Sequence, residues 1–395
     1  MTLVCLGYRK GFVEAARQRG LALHFIVEKM KSGLSGLSCT KVADLADTEE
    51  VLRAALAAVG TGITGVVTGH EQALFTAAAL RSALKLPGDT HLLRCLRFRD
   101  KQIQKQSLSA AVPRARCTYL PRENPSFARL AEQLDAKGRP VVVKPADGHG
   151  AQATRLVSGQ TELDAYVSQF PVRSDVQTVA ECFVEGEEIH VDGIWSRGEP
   201  RWLSVSTYLG PLMGWHEGAA IGDAPLGGAE PELDARARRF ATQILTELDA
   251  PDTVFHLEAF VRPDGELVLG EVAARMVGAL TAEVLELTYG IDLYGAAVDL
   301  ALGRTPALPA EPAGPADLFG FVYLTRSPDH ELSEASFRKR FDLIELDYPA
   351  VDEGRRGSYG RWGHAIASAP THQQLVDELR AIAAFNRGPE GAEAR

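Results

Sequence analysis

The chain has 395 residues, with 45% hydrophobic and 24% charged residues, so we expect a globular protein of two to four packed units. Its formal net charge of -10 argues against a nucleic-acid partner, because phosphate binding requires clustered lysine and arginine. No stretch approaches the roughly 18 apolar residues that a membrane span requires, and the N-terminus lacks signal-peptide features. Five cysteines without paired spacing are typical of reduced thiols. We therefore expect a cytoplasmic protein without membrane partners.

The first hundred residues alternate between apolar, strand-like segments and helical segments. We predict strands over 3–6, 21–27 and 65–68, and helices over 12–19, 49–59 and 73–84. This alternation predicts a parallel sheet covered by helices. The Gly-x-Gly fingerprint of nucleotide-binding sheets is absent from this region. We therefore interpret it as a scaffold that lends one edge to a substrate site.

A glycine loop follows the apolar run Val141–Val143, which ends in Lys144. Residues 148–153 have the spacing Gly-x-Gly-x-x-Ala, but the segment after them, 154–157, is strand-like rather than helical, which argues against a dinucleotide fold. A glycine loop between two strands can close over phosphates with its backbone N–H groups; a plain hairpin turn is the alternative. Lys144 favours the phosphate loop, because a charge beside apolar residues is costly unless it meets an anion.

Two glutamates, Glu181 and Glu188, lie between apolar strands that enter at 176 and leave at 194. They have two interpretations at this point. They are ordinary rim charges, or they accept hydrogen bonds from an adenine amino group and ribose hydroxyls. This segment alone leaves both open.

A hairpin is predicted where Pro263-Asp264-Gly265 separates two apolar runs. Folding it about this turn places residue 258 opposite 269 and residue 256 opposite 271. Because side chains alternate along a strand, the predicted core face holds Phe255, Leu257, Ala259, Val261, Val268 and Val272. The other face holds His256, Glu258, Glu271, Ala273 and Arg275.

Glu258 and Glu271 are thereby expected one diagonal step apart, with Cα atoms on the order of 7–8 Å from each other. Like charges so placed repel unless a cation lies between them. Carboxylates beside a phosphate loop suit Mg²⁺, and Arg275 on the same face is expected to contact the anion being made. A solvent-facing hairpin with ordinary polar residues is the alternative.

The order of these motifs resembles the ATP-grasp superfamily over nearly the whole chain. Arg99-Asp100-Lys101, followed by Ala111-Val112-Pro113, is similar to the family's Asp-Lys helix and the phrase after it. The resemblance implies ATP-phosphate binding by Lys101 and Lys144, and a mobile phosphate loop at Gly148, His149 and Gly150. It also implies an adenine hinge at Glu181, Phe183 and Val184, ribose binding by Glu188, and metal binding by Glu258 and Glu271.

One position departs from the family pattern. The family's closing motif is usually Glu-x-Asn-x-Arg, with the asparagine as a metal ligand. This chain instead has Ala273 at that position, between Glu271 and Arg275. The departure leaves open whether one or two metal ions bind. The implied cofactors are ATP and Mg²⁺, with Mn²⁺ as a substitute.

Substrate binding is assigned to a long stretch rich in glycine, proline and aromatic residues, 202–228, which we interpret as an irregular wall or lid of the pocket. A plain surface loop is the alternative. Glu71 is a candidate contact for an amine or an amino acid, or else a charge at a helix start. Neither His70-Glu71 nor His216-Glu217 has the second histidine of a zinc helix. The expected substrate-binding residues are Glu71, Trp215, His216, His256, Arg275 and Gly278.

The fold expected from the resemblance mixes α/β and α+β architecture. We predict an N-terminal α/β domain over 1–95, ATP-grasp subdomains over 96–190 and 191–305, and a small C-terminal α+β unit over 316–388. After the proline-rich linker 305–315 we predict strands at 341–346 and 361–368 and a helix over 373–385.

The function implied is an ADP-forming ligase that activates a small carboxylate as an acyl phosphate, with Arg275 and Lys144 as catalytic residues, and joins it to an amine. The expected partners are small-molecule carboxylate and amine substrates and, in a homodimer, a second copy of the chain. Two alternatives remain. One is biotin-carboxylase-like carboxylation through carboxyphosphate, and the other is a non-catalytic ATP-binding module.

Overall fold

The computed structural model describes residues 1–148, 150–170, 177–217, 219–309, 315–325, 332–349 and 361–388, without the side chains of 215–217. Three sheets and the helices around them make up this part of the chain. Within it, no helix is both long enough and apolar enough to cross a membrane.

The N-terminal region is a four-stranded parallel sheet, as the alternating pattern predicts. Its strand order is β3-β2-β1-β4, and buried apolar residues fill both of its faces. The short strand β3 was not predicted. The strands are β1 Thr2–Leu6, β2 Ala22–Val27, β3 Cys39–Lys41 and β4 Ile63–Thr68, and the helices are α1 Gly11–Gln18, α2 Thr48–Val59 and α3 Leu74–Leu84.

A second, smaller sheet carries the predicted glycine loop. It is antiparallel with the order β5-β8-β6-β7, and β6 pairs with β7 on either side of the loop, so the interpretation of two strands rather than strand and helix is confirmed. Its strands are β5 Cys117–Tyr119, β6 Val141–Pro145, β7 Arg155–Val157 and β8 Thr178–Cys182. The helices of this region are α4 Leu92–Arg97, α5 Lys101–Gln106, α6 Phe127–Gln133 and α7 Gln160–Gln169.

The third sheet has eight strands in the order β13-β12-β9-β10-β11-β14-β16-β15, and we call it the floor sheet, or floor. It continues without a break from the hairpin of the predicted metal site into the C-terminal unit. Its strands are β9 Glu187–Ser196, β10 Glu199–Tyr208, β11 Gly222–Pro225, β12 Thr253–Val261, β13 Leu267–Ala273, β14 Leu318–Leu324, β15 Glu345–Asp347 and β16 Gly363–Ala369.

Helices on this sheet join it to the other regions. The helices α9 and α10 pack against the N-terminal sheet, and Arg19 clamps Asp299 with two hydrogen bonds of 2.7 and 2.8 Å. Because this ion pair is bidentate and partly buried, it fixes the N-terminal region against the site. The helices are α8 Pro231–Glu247, α9 Thr281–Tyr289, α10 Leu293–Ala301, α11 Glu334–Arg340 and α12 His372–Arg387.

Two expectations for local structure are corrected. The stretch 202–228 is not wholly irregular, because β10 extends to Tyr208 and β11 covers Gly222–Pro225. The predicted strand over 341–346 is displaced to Glu345–Asp347, and Phe341 instead ends helix α11 and packs in the C-terminal core.

The register predicted for the metal-site hairpin is also wrong. Glu258 pairs with Glu271 and His256 with Ala273, while Ala259 pairs with Leu269. A β-bulge at Gly270 inserts one residue into β13, which alternation alone does not reveal. The bulge places Leu267 and Leu269 on the predicted core face, whereas Val268, which is also buried, pairs with Phe260 on the opposite face. The two glutamates nevertheless share one face, directly opposite each other.

Candidate active site

Two adjoining cavities meet at the β12–β13 hairpin. The first lies between the small sheet and the floor, and its lining includes the predicted phosphate-binding lysines. The second, of about 360 Å³, extends from the hairpin towards the N-terminal and C-terminal regions. Both contain Gly150, Tyr208, Leu212, Glu258 and Glu271 in their walls. We call the first the nucleotide cavity and the second the substrate cavity, after the roles predicted for the residues that line them.

Three lysines line the first cavity, and two of them share one glutamate. Lys105 and Lys144 contact the two carboxylate oxygens of Glu181 at 2.7 and 2.9 Å. Burial raises the pKa of Glu181, but attraction to the two lysines outweighs it and lowers the pKa to about 2. Glu181 thus holds two positive charges at the cleft. Its predicted role at the adenine hinge stays a prediction.

Lys101 connects the glycine loop to the metal-site hairpin. Its ammonium group is 2.7 Å from Oε2 of Glu271 and donates a 2.7 Å hydrogen bond to the carbonyl of Gly148. Asp100 caps helix α5 by accepting hydrogen bonds from the N–H groups of Gln102 and Ile103, which fixes the start of the helix at Lys101. The lysine therefore lies between the loop and the glutamate pair, where a polyphosphate would pass.

Glu258 and Glu271 present hard oxygen donors to the junction of the cavities. The Tyr208 hydroxyl donates to Oε1 of Glu258 at 3.1 Å, and His256 Nε2 lies 3.2 Å from the same atom. Among the described residues, these contacts and the Lys101 ion pair leave one oxygen of each carboxylate without a protein partner. Two facing carboxylates with available oxygens fit Mg²⁺, which also takes phosphate oxygens and water.

His256 stands directly across from Ala273, the position of the missing asparagine. Beneath it is a buried row of alternating charge. Asp192 contacts Nδ1 of His256 at 2.8 Å and Nδ1 of His190 at 2.5 Å, and His190 Nε2 lies 3.4 Å from Asp223. Burial lowers the pKa of each histidine, but the carboxylates outweigh it and raise the values to about 9 for His256 and about 10 for His190. Both imidazoles are therefore charged at neutral pH.

Glu188 points into the nucleotide cavity with little compensation for its charge. Burial, with a smaller contribution from the charge of Glu258, raises its pKa to about 7, although the N–H of Leu212 donates to its Oε2 at 3.1 Å and thereby lowers the pKa. A carboxyl group in this state can gain hydrogen bonds from ligand hydroxyls. Its predicted contact to a ribose stays a prediction.

The far wall of the nucleotide cavity is apolar. Phe183 and Val184 line it on the small-sheet side, and Phe260 and Leu269 line it on the floor side. Phe183 is 41% exposed, which is unusual for a large apolar side chain in a cleft and suits stacking on a flat ring.

Arg275 lies at the junction with the substrate cavity and is held by the N-terminal region. Its Nη2 and Nε contact Oε2 of Glu71 at 2.8 and 3.1 Å. This ion pair brings together the two residues predicted to contact substrate from different units. His256 and Gly278 line the same cavity. Positions His149, Trp215 and His216 were also predicted, and their side chains lie outside the described residues.

Several residues of the site were not predicted. Lys105 is one helical turn from Lys101, a spacing that puts both on one face of α5. His190 and Asp192 alternate on β9 as His256 and Glu258 do on β12, so the repeated polar pair in an apolar strand was the available signal. Tyr208 lies in the stretch 202–228 that was interpreted as a wall or lid of the pocket, but no role was predicted for it.

No family model matches the chain, but known proteins and solved structures are similar to it over most of its length. Carnosine synthase 1 of Mus musculus is 29% identical over 371 residues, which cover 86% of this chain and 44% of that protein. The chain spans less than half the length of the curated relatives it matches. L-amino acid ligase from Bacillus licheniformis aligns over 96% of both chains, with a TM-score of 0.74 and 19% identity. Carboxyaminoimidazole ribonucleotide synthase from Aspergillus clavatus, solved with ATP, aligns over 98% of this chain and 99% of its own, with a TM-score of 0.76 and 15% identity.

Proposed function

We propose that this chain, which has the ATP-grasp fold, is an ADP-forming ligase that joins a small carboxylate, such as an amino acid, to an amine. The observation that carries the proposal is the junction of the two cavities, where Lys101, Glu258, Glu271 and Arg275 converge. Groups that hold phosphates and groups that hold a substrate anion meet at one point, as transfer of a terminal phosphoryl group requires.

The residues divide the work between binding and charge neutralisation. Lys101 and Lys144 would bind ATP phosphates, with Glu188 and the apolar wall on the nucleoside side. Glu258 and Glu271 would hold Mg²⁺, which when bound neutralises phosphate charge; Mn²⁺ is the expected substitute. Tyr208 and His256 orient Glu258, so the oxygen that faces the cavity is fixed before ligands arrive.

The reaction has two steps. A carboxylate oxygen of the first substrate attacks the γ phosphorus, the bond to the β-phosphate oxygen breaks, and ADP is released. The amine nitrogen then attacks the acyl carbon, the bond to phosphate breaks, and the amine loses its surplus proton to solvent. Arg275 is placed to stabilise negative charge in both steps, because its guanidinium lies at the junction and Glu71 fixes its orientation.

The names of the similar proteins, an amino acid ligase and a carnosine synthase, favour this reaction over biotin carboxylation. A non-catalytic ATP-binding module is disfavoured because both lysines, both glutamates and Arg275 are present and converge. A cytoplasmic location and a homodimer stay predictions.

The test is the fate of ATP with Mg²⁺ and pools of carboxylates and amines. We expect ADP and phosphate, and a hydroxamate of the first substrate when hydroxylamine replaces the amine. AMP with pyrophosphate would contradict the proposed transfer, because the lysines and glutamates would then act on the wrong phosphate.

A variant adds a second criterion. Glu271→Gln removes a charge from the metal-binding pair and from the Lys101 ion pair, so ADP formation should be abolished while circular dichroism stays unchanged. Glu266→Gln, on the exposed turn of the same hairpin, is the matched control and should retain activity. Normal turnover by Glu271→Gln would show that the metal pair is misassigned.

A further inference from the structure

The end of the substrate cavity away from the nucleotide is strongly positive. Arg9 follows β1, Lys31 follows β2 and Arg361 precedes β16, and all three residues line this cavity. They come from regions far apart in sequence. Among the described residues, none of the three forms an ion pair with a carboxylate within 4.0 Å, unlike Arg275, which Glu71 neutralises.

Neutral contacts hold the two arginines in place. The Arg361 guanidinium lies 4.7 Å from the centroid of the Tyr323 ring, and its Nη2 donates to Nδ1 of His364 at 2.6 Å. Arg9 donates from Nη2 to the carbonyl of Gly69 at 3.4 Å. Burial raises the pKa of Tyr323, whereas Arg361 and Arg9 lower it, so both guanidinium groups lie near the same hydroxyl.

The acidic groups nearby do not neutralise this cluster. Glu283 lies in the field of Arg9, but burial raises the pKa of this glutamate, and its Oε1 accepts a hydrogen bond from Tyr294. Asp223 already contacts Thr281 and His190. Glu345 and Asp347 lie 3.0 and 3.7 Å from the His364 ring that Arg361 contacts, but neither forms an ion pair with Arg361 itself. Positive charges without a direct carboxylate partner repel one another, and an anion between them would relieve the repulsion.

We propose that Arg9, Lys31 and Arg361 form an anion subsite for a carboxylate group of the amine substrate, which makes that substrate an amino acid. This inference rests on the proposed function, in which Arg275 stabilises charge on the carboxylate that is activated and the glutamate pair would hold Mg²⁺. A carboxylate bound by these three basic residues would then belong to the other substrate, whose amine would face the acyl phosphate.

Amine selectivity tests the subsite. With ATP, Mg²⁺ and a fixed carboxylate donor, the rate is measured for an amino acid, for its carboxamide and for phosphoethanolamine as the amine. The carboxamide serves only as an amine, because it has no carboxylate to activate. Loss of a charge-assisted contact predicts kcat/KM for the amino acid roughly 10- to 150-fold above that for its carboxamide. A preference for phosphoethanolamine over the amino acid would overturn the carboxylate assignment.

Variants locate the effect. Arg361→Gln and Arg9→Gln should bring the amino acid to carboxamide ratio close to one, and Arg361→Lys should restore part of it by restoring the charge. Lys29→Gln, two residues from Lys31 and exposed, is the control and should keep the wild-type ratio. Equal losses for both amines in Arg361→Gln would overturn the proposal.

The hydroxylamine reaction separates the two proposals. It needs donor activation but no anionic amine, so its absence in the wild type counts against the proposed function alone. The subsite is then judged by calorimetry, in which Arg361→Gln should weaken amino acid binding by the same roughly 10- to 150-fold. Unchanged binding in that variant would refute the subsite.

Discussion

Replacing Glu181 by glutamine should destabilise the protein strongly. Its two carboxylate oxygens bind the ammonium groups of Lys105 and Lys144, and the Lys105 side chain is only 3% exposed. Glutamine keeps the shape of the side chain but removes its charge. The ammonium groups of Lys105 and Lys144 would then lie near each other without the negative charge between them, and Lys105 has little access to water.

Two independent estimates give the size of the effect. Removing one partner of a buried ion pair costs about 3–5 kcal/mol. The shift in the pKa of Glu181, from 4.5 to about 2, corresponds to about 3 kcal/mol. Because the folded-state pKa is depressed, this stability is present above pH 4.5 and is lost as the pH falls through about 2. We therefore expect Glu181→Gln to lower the free energy of unfolding at pH 7 by about 3 kcal/mol.

Urea unfolding followed by circular dichroism measures this change at pH 7 and at pH 3.5. The matched control is Glu185→Gln, an exposed residue on the same segment. The wild type should lose stability between the two pH values, and Glu181→Gln should lose less, because the titrating group is gone. Equal unfolding midpoints for the two variants at pH 7 would refute the buried double ion pair.

Three further predictions concern the same site. Lys144→Ala should weaken ATP binding by about 1.5–3 kcal/mol in calorimetry, and unchanged affinity would remove it from the phosphate site. Glu188→Gln should raise the free energy of unfolding at pH 8, because a pKa of about 7 in the folded protein means that the charged glutamate destabilises the fold there. The gain should vanish below pH 4.5, and a gain at pH 4 instead would contradict the raised pKa. Asp192→Asn should leave His190 and His256 without their shared anion, so NMR titration should show both imidazoles neutral at pH 8; persistent imidazolium signals would refute the alternating row.

Local patterns predicted the parts of the site that lie within one segment. Lys144 at the end of a valine run, and glutamates alternating with apolar residues around a Pro-Asp-Gly turn, were placed where the structure has them. The alternation of apolar and polar residues indicates which face of a strand a residue occupies. That information was enough to bring Glu258 and Glu271 to one face, even with the wrong register.

Features that depend on distant segments were missed. Pairing of Lys105 with Glu181, and of Asp192 with His256, joins elements whose proximity no local pattern encodes. The bulge at Gly270 was not predicted for a different reason. A glycine within a strand fits either a bulge or close backbone approach, and here the carbonyl of Glu258 lies 3.1 Å from where a Cβ would stand.

The continuous eight-stranded sheet determines which part of the molecule can move. Strands β11 and β14 pair through Gly222 with Val322 and Asp223 with Phe321, so a hinge between them would break main-chain hydrogen bonds. The small sheet shares no strand ladder with this floor within the described chain. We therefore expect the small sheet to move relative to the rigid eight-stranded sheet when the site opens and closes over a nucleotide. The eight-stranded sheet keeps the spacing between the glutamate pair and Arg361 constant. The small sheet can therefore admit and release the nucleotide without altering the length of substrate that fits.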